Sequence, residues 1–82
     1  MNEKIAVTVK EILISQLNVS PNDFDWDSTL NELHDKFALL DNLVYLEQLL
    51  NESFEKKIPI LENICTDFHT PNDVINLIKS EL

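Results

Sequence analysis

Residues 36–54, KFALLDNLVYLEQLLNESF, form the longest helical pattern in the chain and decide its fold. Their apolar side chains recur mostly at steps of three and four residues, which places them on one side of a helix. That face comprises Phe37, Leu40, Leu43, Val44, Leu46, Leu50 and Phe54, and it is widened by Leu39, Tyr45 and Leu49. One neighbouring helix could not cover so wide a face, so the sequence predicts that this helix lies centrally.

Three further helices are predicted around it. The first covers residues 3–17, where apolar side chains form a stripe at helical spacing. A short helix can begin at Pro59. The last helix has the clearest start, because Thr70 is a natural N-cap, Pro71 fits the first helical position and Asp73 lies near the positive end of the helix dipole.

Residues 18–33, NVSPNDFDWDSTLNEL, separate the first two helices and lack helical periodicity. Apolar side chains within this loop can anchor it to a core, namely Val19, Phe24, Trp26 and Leu30. The predicted fold is therefore all-α: one domain over residues 1–82, a small four-helix bundle with a long first loop and a short third helix. The residues expected in the core are Leu13, Leu43, Val44, Leu46, Leu50, Phe54, Val74 and Ile78.

Composition supports a soluble helical protein. The 82 residues are 44% hydrophobic and include no glycine, which disfavours hairpins and barrels that need positive-φ turns. Fifteen acidic residues against six basic ones give a net charge of −9, which disfavours nucleic acid and membranes as partners and favours a basic partner.

The single Cys65 excludes an internal disulfide. Residues 1–20 lack a signal-peptide pattern, so we expect a cytoplasmic protein.

Three stretches carry a family resemblance that covers nearly the whole chain. They are VKEILISQLNVSPNDFDWDSTLNEL (residues 9–33), LVYLEQLLNESFEKKIPI (43–60) and DFHTPNDVINLI (67–78). In this order and spacing, the sequence resembles the acyl and peptidyl carrier proteins. The resemblance implies their four-helix fold, in which a serine at the start of the second helix is esterified to phosphopantetheine.

No serine occupies that place here. Two alignments to the family's Asp-Ser-Leu motif are possible. If Asp35 corresponds to the aspartate of the motif, Lys36 occupies the serine position. If the family's usual spacing is counted back from Phe54, Leu40 occupies the serine position and Asp41 follows it. The second alignment is slightly preferred because it needs no gap inside a helix. Neither residue can form the phosphodiester, so no phosphopantetheine cofactor is expected.

Other residues with reactive side chains have simpler structural explanations. Ser28 follows an aspartate and is the outside candidate for modification, although a loop or capping serine is the favoured interpretation. Cys65 lies in an apolar segment and is expected to be structural. The pairs His34 with Asp35 and Asp67 with His69 lack metal-ligand spacing, so no metal is expected. No pattern in the sequence pairs a nucleophilic side chain with a general base, so we expect no enzyme activity.

The resemblance also implies a recognition role for the second helix, which in carrier proteins binds basic partner enzymes. Acidic residues here lie along that helix and its exit, namely Asp35, Asp41, Glu47, Glu52 and Glu55. The expected partner is a basic surface of a synthase, a transferase or a modifying enzyme, bound by a protein that is a monomer when free. The alternative explanation for these acids is an ordinary solvated helix face.

Three functions are compatible with these patterns. The first is a carrier-like protein that acts by protein–protein interaction as a scaffold, decoy or regulator in a fatty-acid, polyketide or nonribosomal-peptide system. The second is a working carrier with phosphopantetheine on an unexpected serine such as Ser28. The third is a small acidic helical inhibitor or immunity-type protein.

Overall fold

A computed structural model of the protein describes residues 2–33 and 40–82. Within these ranges the protein is all-α, without β-strands, and measures 29 × 24 × 20 Å. The helices are α1 (Asn2–Glu11, continued by a π-helical turn over Ile12–Gln16), α2 (Leu30–Leu33), α3 (Leu40–Phe54), α4 (Ile60–Asn63) and α5 (Pro71–Glu81). Helix α5 packs against α1 and α4, and α3 packs against α4 and the π-helical turn.

The predicted first helix is present, but its last turn is wider than an α-helical turn. The amide of Leu17 donates to the carbonyl oxygen of Ile12, five residues earlier, at 3.2 Å. The amide of Val19 then reaches back to the carbonyl of Leu13 at 3.0 Å, and Asn18 between them has φ 61°. Asparagine tolerates this left-handed conformation better than most residues, which suits a chain without glycine.

The loop after the first helix contains an element that the sequence did not predict, the four-residue helix α2. Thr29 caps it: the amide of Glu32 donates to the Thr29 Oγ1 at 3.3 Å, and the Thr29 amide donates to Glu32 Oε1 at 2.9 Å. This reciprocal pair is a capping box. Its signature, a threonine followed three residues later by glutamate, is visible in the sequence.

Helix α5 begins as predicted. The side chain of Thr70 accepts from the amide of Asp73, and the Thr70 amide donates to Asp73 Oδ2 at 2.9 Å. The predicted cap is therefore confirmed and is a second capping box. The short helix after Pro59 is also confirmed, as α4.

The core is continuous across the helices and the loop. Five of the predicted core residues are buried, namely Leu13, Leu46, Leu50, Val74 and Ile78. Two more, Leu43 and Phe54, are half-buried and pack against it. The loop anchors Val19 and Leu30 are buried, and Phe24 and Trp26 pack on the core with their ring centroids 4.8 Å apart.

The wide apolar face predicted for α3 is narrower in the structure. Val44 is only half-buried and, among the described residues, is not one of those that pack against the core cluster, and Leu40 is 66% exposed. The physical reason is angular: at about 100° per residue, Val44 lies roughly 160° and Leu40 roughly 120° around the helix from the buried Leu46. The predictions for the other residues at the start of this helix, including Phe37 and Leu39, lie outside the described residues.

Candidate protein-binding surface

The outward side of α3 carries a strip of exposed polar side chains. Its members follow one another at steps of four, three and four residues, which keeps them on one side of the helix. We call Asp41, Tyr45, Gln48 and Glu52 the acidic strip. Its two carboxylates lie about 16 Å apart along the helix axis, at 1.5 Å per residue. The strip thus offers two separated negative charges to solvent.

Glu47 lies elsewhere, on the side of α3 that faces α4. It is half-buried, and its Oε1 accepts a hydrogen bond from the amide of Leu61 at 3.1 Å. One turn further along, Oδ1 of Asn51 accepts from the amide of Ile58 at 2.6 Å. These two side chains fasten residues 58–61 to α3. The structure therefore gives Glu47 an architectural contact and separates it from the acidic strip.

Glu55 directly follows α3 and is exposed, with φ 52°. A residue with a Cβ in the left-handed region loses about 1–2 kcal/mol relative to a right-handed conformation. Its carboxylate also lies at the negative end of the helix dipole, where a cation would be favoured. Glycine would fit this position better on both counts, so stability alone does not explain a glutamate here.

The position matched to the carrier serine is accessible. Leu40 is the first described residue of α3, and Asp41 beside it is also exposed. The competing position, Lys36, lies outside the described residues, as does Asp35. At Leu40 the protein presents a large apolar side chain to solvent beside the first carboxylate of the acidic strip.

Ser28 lies in a poor environment for a phosphate. It is half-buried and precedes α2, whose backbone amides already have partners. Leu30 donates to the carbonyl of His69 at 3.0 Å and Asn31 to that of Thr66 at 3.1 Å. Together with the capping box, these bonds occupy the amides of residues 29–32. No unpaired amide among these four is available to bind a phosphate.

The capping box also affects the acidity of Glu32. Hydrogen bonds to its carboxylate, first from the backbone amide of Thr29 and then from the Thr29 hydroxyl, hold the pKa of Glu32 below its ordinary value of 4.5. Desolvation and the charge of Asp25 oppose this shift but are smaller. Glu32 was not among the residues predicted from the sequence to have a specific role.

Cys65 and His69 close the turn between α4 and α5. The amide of Cys65 donates to Nδ1 of His69 at 2.7 Å, and the His69 ring lies against Phe68 with centroids 4.5 Å apart. The imidazole thus accepts a backbone hydrogen bond and serves the turn. Across the described residues, no three His, Cys, Asp or Glu side chains gather as metal ligands, and His34 and Asp35 lie outside them.

Comparison with known proteins adds no relative. No protein-family model matches the chain, and neither a curated protein nor a solved structure is significantly similar to it. In the part of the chain that the structure describes, every helix is too short or too polar to cross a membrane.

Proposed function

We propose that this protein is a carrier-protein-like four-helix bundle that lacks the carrier serine and acts by binding a basic protein surface. The observation that carries the proposal is the acidic strip: Asp41 and Glu52 project from one exposed side of α3, beside the exposed Leu40. In the carrier proteins that the sequence resembles, partner enzymes bind this helix. The protein would serve as a scaffold, decoy or regulator of a synthase, transferase or modifying enzyme in fatty-acid, polyketide or nonribosomal-peptide assembly.

The charge distribution supports a basic partner. The net charge of −9 attracts a basic surface at long range, and the acidic strip gives that attraction a direction. Exposed charges of this kind act mainly on the association rate, and salt screens them over about 8–10 Å. The expected complex therefore forms more slowly as ionic strength rises.

Glu55 supports the same proposal from energetics. Its positive φ and its position at the carboxyl end of α3 both disfavour a glutamate. Residues held in unfavourable conformations occur preferentially at functional sites. We therefore include Glu55 with Asp41 and Glu52 in the proposed binding surface and leave out Glu47, which holds the α4 segment.

In this proposal the protein has no phosphopantetheine, no metal and no enzyme activity of its own, and it is a cytoplasmic monomer when free. The occupied amides around Ser28 argue against the alternative of a carrier modified there. The third alternative, an acidic inhibitor or immunity-type protein, would use the same surface. It differs in its partner, which would lie outside thioester chemistry.

The test of the binding surface is a charge-reversal experiment with a matched control. Asp41→Lys with Glu52→Lys changes the net charge from −9 to −5, and so does Glu62→Lys with Glu81→Lys at exposed positions on α4 and α5. Association with purified ketosynthases, acyltransferases and phosphopantetheinyl transferases is followed by surface plasmon resonance at several salt concentrations. We expect the first pair to slow association about tenfold or more and the control pair to slow it much less. Equal effects of the two pairs would contradict the proposal.

Intact-mass spectrometry tests the missing cofactor. Incubation with a permissive phosphopantetheinyl transferase and coenzyme A should leave the mass of the protein unchanged. An adduct would establish a working carrier, and fragmentation would show whether Ser28 bears it. Leu40→Ser and Lys36→Ser, made separately, then test whether a hydroxyl alone restores modification. We expect little, because no glycine is available for the turn that precedes the serine in carrier proteins.

A further inference from the structure

A polar groove lies beside the π-helical turn, between the end of the first helix and the second half of α3. Its volume is about 250 Å³. It is lined by Thr8, Glu11, Ile12, Ser15, Gln16 and Ser53. The first four recur at steps of three, one and three residues, so they lie on one side of the helix, and Ser53 faces them from α3. Neither the acidic strip nor Glu55 lines the groove.

The lining is rich in hydrogen-bond acceptors. Among the lining residues, Thr8, Ser15 and Ser53 carry hydroxyls and Glu11 carries the one charged group, whereas the side-chain oxygen of Gln16 already accepts from Tyr45. Hydroxyls can accept as well as donate, and an ionised carboxylate only accepts. Ile12 is buried and forms an apolar part of the lining. A group that only donates hydrogen bonds and carries positive charge matches this lining best.

Tyr45 connects the groove to the acidic strip. Its hydroxyl donates to Oε1 of Gln16 at 3.2 Å, which fixes a flexible side chain of the groove against α3. Tyr45 is itself a member of the strip, and Ser53 follows the strip residue Glu52. A protein bound along the strip would therefore have this groove at its edge. Pre-ordered side chains reduce the entropy lost on binding.

We propose that the groove receives an arginine side chain of the basic partner. This inference rests on the proposed function and adds the anchoring contact to it. A guanidinium has five N–H donors and no acceptor, always carries its charge, and can bond a carboxylate and neighbouring oxygens at once. Ammonium is a compact point charge with three donors, so it matches a carboxylate and several neighbouring oxygens less well than a planar guanidinium does. Local π-helical turns also occur frequently at functional sites.

The contact is tested by two-dimensional NMR with Nα-acetyl-arginine amide as the probe. Nα-acetyl-lysine amide and the neutral Nα-acetyl-glutamine amide are added in parallel to the full chain. We expect saturable shifts at the backbone amides of Ser15, Gln16 and Ser53, strongest with the arginine probe. Shifts confined to the neighbours of Asp41 and Glu52, or equal shifts with the neutral probe, would overturn the assignment.

Two variants make the test specific. Glu11→Gln should weaken arginine-amide binding about 2–5-fold, the range expected for one exposed charge pair, whereas Glu62→Gln on α4 should leave it unchanged. Ser53→Leu should fill the groove and abolish the shifts while retaining a dispersed amide spectrum. If the groove variants have no effect while reversal of Asp41 and Glu52 still slows partner association, the groove inference fails and the proposed function stands. Loss of both effects overturns both.

Discussion

The two sides of α3 use similar side chains for different purposes. On the side facing α4, Glu47 and Asn51 accept hydrogen bonds from the amides of Leu61 and Ile58. On the outward side, Asp41 and Glu52 are exposed at the ends of the acidic strip. The presence of an acidic residue on this helix therefore does not by itself indicate what that residue does. Its role depends on whether an unpaired backbone amide lies within reach, and the difference separates an architectural carboxylate from a candidate recognition carboxylate.

The largest expected effect comes from the buried residue between these sides. Leu50→Ala should lower the free energy of unfolding by about 2–5 kcal/mol, because Leu50 is fully buried and its truncation leaves a cavity. Gln48→Ala, two residues away on the acidic strip, should change it by less than about 0.5 kcal/mol. Urea unfolding followed by circular dichroism measures both. Similar losses of stability in the two variants would show that Leu50 is wrongly assigned to the buried side of α3 or Gln48 to its exposed side.

The carboxylates themselves provide a sharper comparison. Glu47→Ala should cost about 1 kcal/mol, since it removes the hydrogen bond to the amide of Leu61, and Glu52→Ala should cost close to nothing. The same urea titrations apply. In the binding experiment the order should reverse, with Glu52→Ala slowing partner association and Glu47→Ala affecting it little. If the same variant had the larger effect on both the free energy of unfolding and the association rate, the two carboxylates could not be assigned separate roles.

Replacement of Glu55 should change protein stability and partner binding in opposite directions. Glu55→Gly should raise the free energy of unfolding by about 0.5–1 kcal/mol, because relief of the positive φ exceeds the entropy cost of glycine. Asn18→Gly is the matched control at φ 61° and should gain less, since asparagine tolerates this conformation. If Glu55 contacts the partner, the stabilised variant should bind more weakly. A destabilised Glu55→Gly variant would refute the strain at this position.

The smallest effect concerns pH and the capping box of α2. The pKa of Glu32 is lowered in the folded protein, so its contribution to stability is present above the ordinary glutamate value of 4.5 and is lost as pH falls through the folded pKa. Glu32→Gln should therefore differ from the native protein at neutral pH and converge with it in acid. NMR titration of the side-chain carboxyl carbon should place the Glu32 pKa below 4.5. A value above 4.5 would contradict the capping geometry.

Local patterns were sufficient to predict much of the fold. Apolar spacing predicted the first helix and α3, and the residues around Thr70 predicted the start of α5 with its cap. Helix α2 was missed because four residues are too few for periodicity, although its threonine–glutamate spacing was readable. Helical spacing predicted Val44 in the core and Leu40 on the apolar face of this helix, but both lie more than about 90° around the helix from the buried Leu46, and Leu40 is exposed.

The candidate surface was predictable only in part. The exposure of Asp41 and Glu52 follows from their spacing on α3. The contact of Glu47 does not, because its partner Leu61 is fourteen residues away and is brought close by the packing of α4. The groove beside the π-helical turn likewise joins residues 8–16 with Ser53, and no local pattern in either segment indicates that they meet.

The hydrogen bonds from α2 to the α4–α5 turn have a consequence for the order in which the protein opens. The amides of Leu30 and Asn31 donate to the carbonyls of His69 and Thr66, and the amide of Asn72 donates to that of Trp26. Two segments about forty residues apart thus hold each other's backbone, and neither can detach without breaking the other's bonds. Such segments open as one cooperative unit, so hydrogen exchange at Leu30, Asn31 and Asn72 should proceed through a shared opening with a common free energy.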